Sequence, residues 1–409
     1  MSGEIKNVTN GEQGNKKGGK RNAFWSKGSK INVRNFYRLK EKATGYKVFW
    51  LSFEFNKGKN RKQREGKFYV PEHTSSKLVC FYSGSPGANL VSFEKKFSST
   101  IVKNGYNLWV PRHNGMKINE TTREFMVGEI HPYNNKIINS KDIIGSKISA
   151  EYFKNLLNEP LADLIAFNES AKIKEIILIG HCVGSVSAIH SINALKNYDN
   201  KKIIIKIKKF ISLSGFFPDS NERVLGNKPG WGFRFTLNNF MDDTLRRSKR
   251  YFNFNRITSL TRKKLKDGFK KNVIVNMNHP GRKIPDNIDL IFVLSPVDPM
   301  LKLTGGKRYF NFQNRGLFIH DLTSSKLHPL QLNKARIFNP EFKEANMNLL
   351  NKVDALTKKK YGLNQHSLPN LLPETLMRLI NIKISGKHSV ILRKGRILIK
   401  KQKTPRNTA

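Results

Sequence analysis

Cys182 lies in the run Ile177-Leu178-Ile179-Gly180-His181-Cys182-Val183-Gly184-Ser185, where an apolar strand pattern gives way to helical spacing. A nucleophile held between a strand and a helix must sit on a sharp turn in a strained backbone conformation, with neighbours almost free of side chain. Gly180 and Gly184, two residues to either side of the thiol, meet that need. The helix that starts at Val183 points its amino end at the same spot, which favours negative charge on a thiolate or an oxyanion. Two other readings of Cys182 stay open: a small buried residue at a strand–helix junction, or a lost nucleophile in a chain kept as a scaffold.

The Gly-His-Cys-Val-Gly-Ser box resembles the nucleophile elbow Gly-x-Ser-x-Gly of the α/β-hydrolase superfamily, with Cys182 in place of the serine. Within that superfamily it is similar to polyhydroxyalkanoate synthases and dienelactone hydrolases, which also carry cysteine there. Ser83-Gly84-Ser85-Pro86-Gly87 is similar to the family's His-Gly-x-Pro-Gly oxyanion turn, with Ser83 where the histidine usually stands. The resemblance implies an oxyanion hole made by the backbone N–H groups of Ser85 and Val183. Leu290 to Met300 resembles the strand and turn that deliver the triad acid, which would be Asp298, with Ser295 replacing a glycine. Phe318 to Pro329 resembles the last strand and its histidine loop, which would supply His328. Asp219 and His320 are the competing acid and histidine, and His181 reads as packing. Cys182, Asp298 and His328 follow the superfamily's nucleophile–acid–histidine order, and the resemblance spans about residues 45–350.

The roles implied are those of a Cys-His-Asp triad acting on an ester or thioester. Cys182 attacks the acyl carbonyl, His328 takes its proton and returns it to the leaving group, and Asp298 holds the imidazole tautomer. A thioester intermediate can pass its acyl group to water or to an alcohol, amine or thiol, so a hydrolase and an acyltransferase are both expected classes.

The elements that would position these residues alternate. Tyr46–Phe55 and Lys67–Pro71, around a charged turn from Lys57 to Glu65, read as a hairpin. Short continuous apolar runs at 77–82, 107–111, 175–180, 203–213, 290–294 and 317–320 read as strands buried on both faces. Helical spacing separates several of them, at 90–103, 144–171 and 183–195. This alternation predicts an α/β fold with a mostly parallel central sheet and flanking helices. Residues 216–287, rich in Phe, Arg and Asn, interrupt it and read as an inserted helical lid. The expected division is a basic flexible arm over 1–40, core over 41–215, lid over 216–287, core again over 288–350, and a basic extension with a hairpin over 351–409.

Charge raises a second class of function. The chain has 409 residues with 75 Lys and Arg against 30 Asp and Glu, a net charge of +45. Such an excess suits nucleic acid, an anionic membrane or an acidic substrate carrier. Ten Lys and Arg against two Glu fall in residues 1–40, fourteen against four acids in 221–272, and ten against none in 376–409. The excess is thus concentrated in the tails and the insert, and a non-catalytic binding protein of the same fold is the alternative reading. Aromatics in the insert, such as Trp231, Phe233 and Tyr251 among Arg246, Arg247 and Arg250, suit either stacked single-stranded nucleic acid or a lid over an acyl carrier. No metal-ligand spacing, phosphate loop or dinucleotide fingerprint is present, so no cofactor is expected. With two cysteines, no apolar run near the length of a membrane span and a polar start at 1–19, a cytoplasmic location is expected.

Overall fold

A computed structural model describes residues 32–38, 45–55, 62–84, 90–113, 116–118, 125–130, 146–170, 172–196, 204–215, 284–294, 316–321, 371–384, 387–393 and 396–398. Eleven of their strands form one sheet, and seven of these are parallel. In chain order they are β1 (Asn32–Arg38), β2 (Tyr46–Phe55), β3 (Lys62–Pro71), β4 (Lys77–Tyr82), β5 (Asn107–Pro111), β8 (Glu175–His181), β9 (Lys206–Leu213), β10 (Asp289–Leu294), β11 (Gly316–Asp321), β12 (Lys387–Arg393) and β13 (Arg396–Leu398). Across the sheet the order is β1-β2-β3-β5-β4-β8-β9-β10-β11-β12-β13. From β5 to β12 every pairing is parallel, while β1, β2 and β3 at one edge and β13 at the other pair antiparallel. A separate two-stranded sheet joins β6 (Met116–Ile118) to β7 (Phe125–Ile130).

Among the described residues four helices cover the sheet: α1 (Leu90–Lys103), α2 (Ser146–Asn168), α3 (Val183–Lys196) and α4 (Pro373–Asn381). Side chains of a strand alternate between its two faces, and the apolar runs supply both. Leu78, Cys80, Ile176, Leu178, Phe210, Leu290 and Phe292 pack with Leu156, Leu164 and Phe167 of α2 and Val186 and Ile189 of α3. Val79, Phe81, Ile177, Ile179, Ile211, Ile291 and Val293 pack on the other face with Phe93, Phe97 and Ile101 of α1 and Leu376 and Leu379 of α4. Phe81 and Phe93 stack at 3.7 Å between ring centroids. The parallel core is therefore buried on both sides, which is why its strands read as unbroken apolar runs.

Several elements depart from the sequence expectation. Asn32–Arg38, in the basic segment expected to be a flexible arm, is an edge strand paired with β2. The charged stretch expected as a turn is partly strand, since β3 begins at Lys62. The physical reason is Arg64, whose Nε and Nη2 each lie 2.9 Å from a different carboxylate oxygen of Asp163 on α2. Arg64 Nη1 is also 3.3 Å from Glu159 Oε2 and donates to the carbonyl oxygen of Arg112 at 3.3 Å. A charged residue inside a strand is thus paired within the fold. Burial opposes the Arg64 charge, but Asp163 and Glu159 outweigh it and raise the guanidinium pKa.

The C-terminal strands are more than an appended hairpin. β12 and β13 pair antiparallel, yet β12 also pairs parallel with β11 and so extends the central sheet. Helix α4 packs beside α1 on one face of the sheet, and the buried Lys209 of β9 holds it. Lys209 Nζ donates to the carbonyl oxygens of Leu379 at 2.9 Å and Ile380 at 2.8 Å, and also to that of Ile382. A cation at a helix carboxyl end meets the unpaired carbonyls and the negative end of the dipole. Among the described residues no helix is long and apolar enough to cross a membrane. The expected lid, apart from residues 284–287, lies outside the described residues.

Candidate active site

Because β4, β5, β8, β9, β10 and β11 are parallel, their carboxyl ends share one edge of the sheet, where the chain turns into whatever follows each strand. Cys182 occupies the turn between β8 and α3 with φ of +52°. For a residue with a Cβ, that left-handed conformation costs roughly 1–2 kcal/mol. The surrounding structure enforces it. A Cβ on Gly180 would stand 2.5 Å from Ser185 Cα, and one on Gly184 would stand 2.2 Å from the Tyr82 carbonyl oxygen and 2.6 Å from that of Ser83. Both glycines are therefore required by close backbone approach, and α3 begins packed against the end of β4. The Cys182 N–H donates to the Leu213 carbonyl oxygen at 3.4 Å, and its own carbonyl accepts from the Ser185 N–H at 3.1 Å. Ser212 Oγ donates to Ser185 Oγ at 3.1 Å, tying the start of α3 to β9.

Gly84, two residues past β4, lies against the thiol. A Cβ on Gly84 would lie 2.6 Å from Cys182 Cβ and 3.3 Å from its Sγ, so glycine alone fits there without displacement. Cys182 is 2% exposed. Val183 follows as the first residue of α3, where backbone N–H groups have no intrahelical acceptor. Ser85, Asp298 and His328 lie outside the described residues, as does the competing acid Asp219. The strands that lead to them are in place: β4 ends at Tyr82, β10 at Leu294 and β11 at Asp321. His320 is in β11, in register with Leu294 and Ile391.

Two features of this edge have no role assigned to them by the sequence. Ser214, at the end of β9, is buried and left-handed with φ of +46°, and its N–H donates to the Val293 carbonyl oxygen at 2.9 Å. Cys182 and Ser214 are thus two left-handed non-glycine residues at the ends of adjacent strands, and backbone strain of this kind gathers at functional sites. The second is His113, which follows β5 and is buried. Its Nδ1 and Ser83 Oγ share a hydrogen bond of 3.3 Å. His113 lines a small cavity with Arg64, Ser83, Glu159 and Gly184. The sequence signal was only a histidine after a strand.

Burial, and then the Arg64 charge, lower the His113 pKa from 6.5 to about 3. Between those values the unfolded chain binds a proton at this position that the folded chain does not. Folding stability therefore rises with pH across that window and is lost on acidification. Arg64 of β3, Arg112, Glu159 of α2 and Tyr82 line the same cavity, and the Ser83 hydroxyl is bonded to His113. We predict that stability from urea unfolding, followed from pH 4 to 7, has a shallower pH slope in His113→Asn than in the wild type. Equal slopes would refute it.

A mostly parallel sheet that carries a left-handed strand-to-helix elbow at its carboxyl edge defines an α/β-hydrolase fold. No protein-family model and no curated protein matches the chain. Among solved structures it is similar to acetyl xylan esterase 1 from Thermoanaerobacterium sp. JW/SL YS485, at 12% identity over 66% of this chain and 74% of that one, with a TM-score of 0.38. It is also similar to the rice cell wall degrading esterase LipA from Xanthomonas oryzae, at 12% identity over 83% and 99%, TM-score 0.37. An S-formylglutathione hydrolase from Agrobacterium tumefaciens matches at 13% identity over 66% and 83%, TM-score 0.32. The fold class rests on the strand order and the elbow themselves.

Proposed function

We propose that the chain is an enzyme that cleaves or transfers the acyl group of an ester or thioester through a covalent intermediate on Cys182. The observation that carries this reading is the elbow: a non-glycine residue with a nucleophilic atom, held left-handed between two glycines that the backbone demands, at the amino end of a helix. A residue placed only to fill the core has no need of that conformation. Cys80 of β4, in the same core cluster, is the contrast, since it lies within a regular strand and burial pushes its thiol pKa well up.

In the reaction, the Cys182 sulfur bonds to the acyl carbon as its proton moves to His328. The resulting oxyanion is met by the N–H groups of Val183 and Ser85. Collapse breaks the bond to the leaving oxygen or sulfur, which takes the proton from His328 and leaves a thioester. Water, or an acceptor alcohol, amine or thiol, then gives its proton to His328 and attacks the thioester, returning the Cys182 thiol. Asp298 holds the imidazole and stabilises its cation. The parallel strands β4, β10 and β11 support these assignments, because each leads to its residue from the edge that holds Cys182.

The test is chemical. Incubation with p-nitrophenyl acetate should give a protein carrying one acetyl group, and peptide mapping should locate it at Cys182. Hydroxylamine should release it, as it does a thioester. Turnover without an adduct at Cys182 would overturn the assignment of the nucleophile.

A further inference from the structure

We propose that His113 is a positioning residue that fixes Ser83 and Gly84 beside Cys182 by its hydrogen bond to Ser83. The inference rests on Cys182 being the nucleophile and adds a role for a residue from a neighbouring strand. Ser83 and Gly84 leave β4 directly above the elbow, where the Ser83 carbonyl comes close to Gly184 and Gly84 abuts the Cys182 sulfur. An oxyanion hole requires its donors to be fixed before charge develops, so the segment that supplies them needs an anchor. The Ser83 side chain is buried and bonded to His113 Nδ1 across 30 residues of sequence. His113 reaches this point because β5 is parallel to β4 and ends beside it. Arg64 fixes the same corner by donating to the carbonyl of Arg112, the residue before His113. A neutral imidazole suits the task, since it titrates only well below neutral pH.

This arrangement makes His113 act through Ser83 on the placement of the Ser83-Gly84 segment rather than on the substrate. The distinguishing measurement compares two reactions of the same sulfur. Acylation by p-nitrophenyl acetate passes through a tetrahedral oxyanion, whereas alkylation by iodoacetamide is a displacement at a saturated carbon and forms none. Ser83→Ala, His113→Leu and the double variant should each lower the acylation rate by about ten- to a hundredfold, below the range for losing an oxyanion donor outright. The double variant should lose no more than either single change, because one hydrogen bond is removed in all three. The rate of iodoacetamide alkylation at Cys182 should stay at the wild-type value. His113→Asn, whose amide can stand near the place of Nδ1, should recover most of the lost rate.

Wild-type acylation in both single variants overturns the proposal, as does a parallel fall in alkylation, which would mark a general loss of structure. Losses that multiply in the double variant also overturn it. Should His113→Leu fail to fold, Ser83→Ala decides alone, since it removes only a hydroxyl. A wild-type chain that accepts no acyl group at Cys182 refutes the proposed nucleophile and this role together, whereas normal wild-type acylation with indifferent variants refutes this role alone.

Discussion

Cys182→Ala should lower kcat/KM for a p-nitrophenyl ester by at least about 10³-fold, the scale of losing a covalent nucleophile. Its stability should fall by only about 1 kcal/mol, the transfer free energy of one small buried group. The two effects separate because alanine keeps the Cβ. It therefore keeps the left-handed conformation at φ of +52° and the contact with Gly84, and only the sulfur is lost. Cys80→Ala is the control. Its side chain is fully buried among Leu78, Leu178 and Trp109 on one face of the sheet, so it should lose a similar amount of stability and yet retain turnover. Ester turnover and urea unfolding of the two variants give four numbers. Wild-type turnover in Cys182→Ala would assign the elbow a structural role and reject Cys182 as the nucleophile.

The parts legible in the sequence are those whose burial is complete. β4, β5 and β8 are apolar at nearly every position because both faces are covered, and no partner had to be known to recognise them. Gly180 and Gly184 were legible for a related reason, since close backbone approach on both sides of the elbow leaves no room for a Cβ. Where charge is compensated at a distance, the local pattern misleads. Lys62 to Glu65 looked like a turn because the partner of Arg64 is Asp163, 99 residues away. Asn32–Arg38 carries too few apolar residues to announce an edge strand, and β12 shows itself as a hairpin arm while its second partner, β11, is remote. The same holds within the site. Cys182 is marked by its neighbours in sequence, whereas His113 is marked only by Ser83, which parallel pairing brings beside it.

The second large effect concerns stability. Asp163→Ala should destabilise the fold by about 3–5 kcal/mol, the usual cost of removing one partner of a buried ion pair. Asp163 is fully buried and Arg64 is 7% exposed. With the carboxylate gone, two guanidinium nitrogens lose acceptors at 2.9 Å, and Glu159, at 3.3 Å from the third, compensates only in part. The uncompensated charge then faces Tyr82 and His113, which line the same cavity. Because the pair joins β3 to α2, the variant should also loosen α2 against the sheet, with faster amide exchange in residues 156–167. Replacing both partners tests the cause. Arg64→Met with Asp163→Leu removes the buried charges together and should recover most of the loss, since apolar groups of similar size often substitute for a buried pair at little cost. A denaturation midpoint unchanged in Asp163→Ala would show that water reaches Arg64. A double variant as unstable as the single one would show that packing at these two positions, rather than charge, holds α2 to β3.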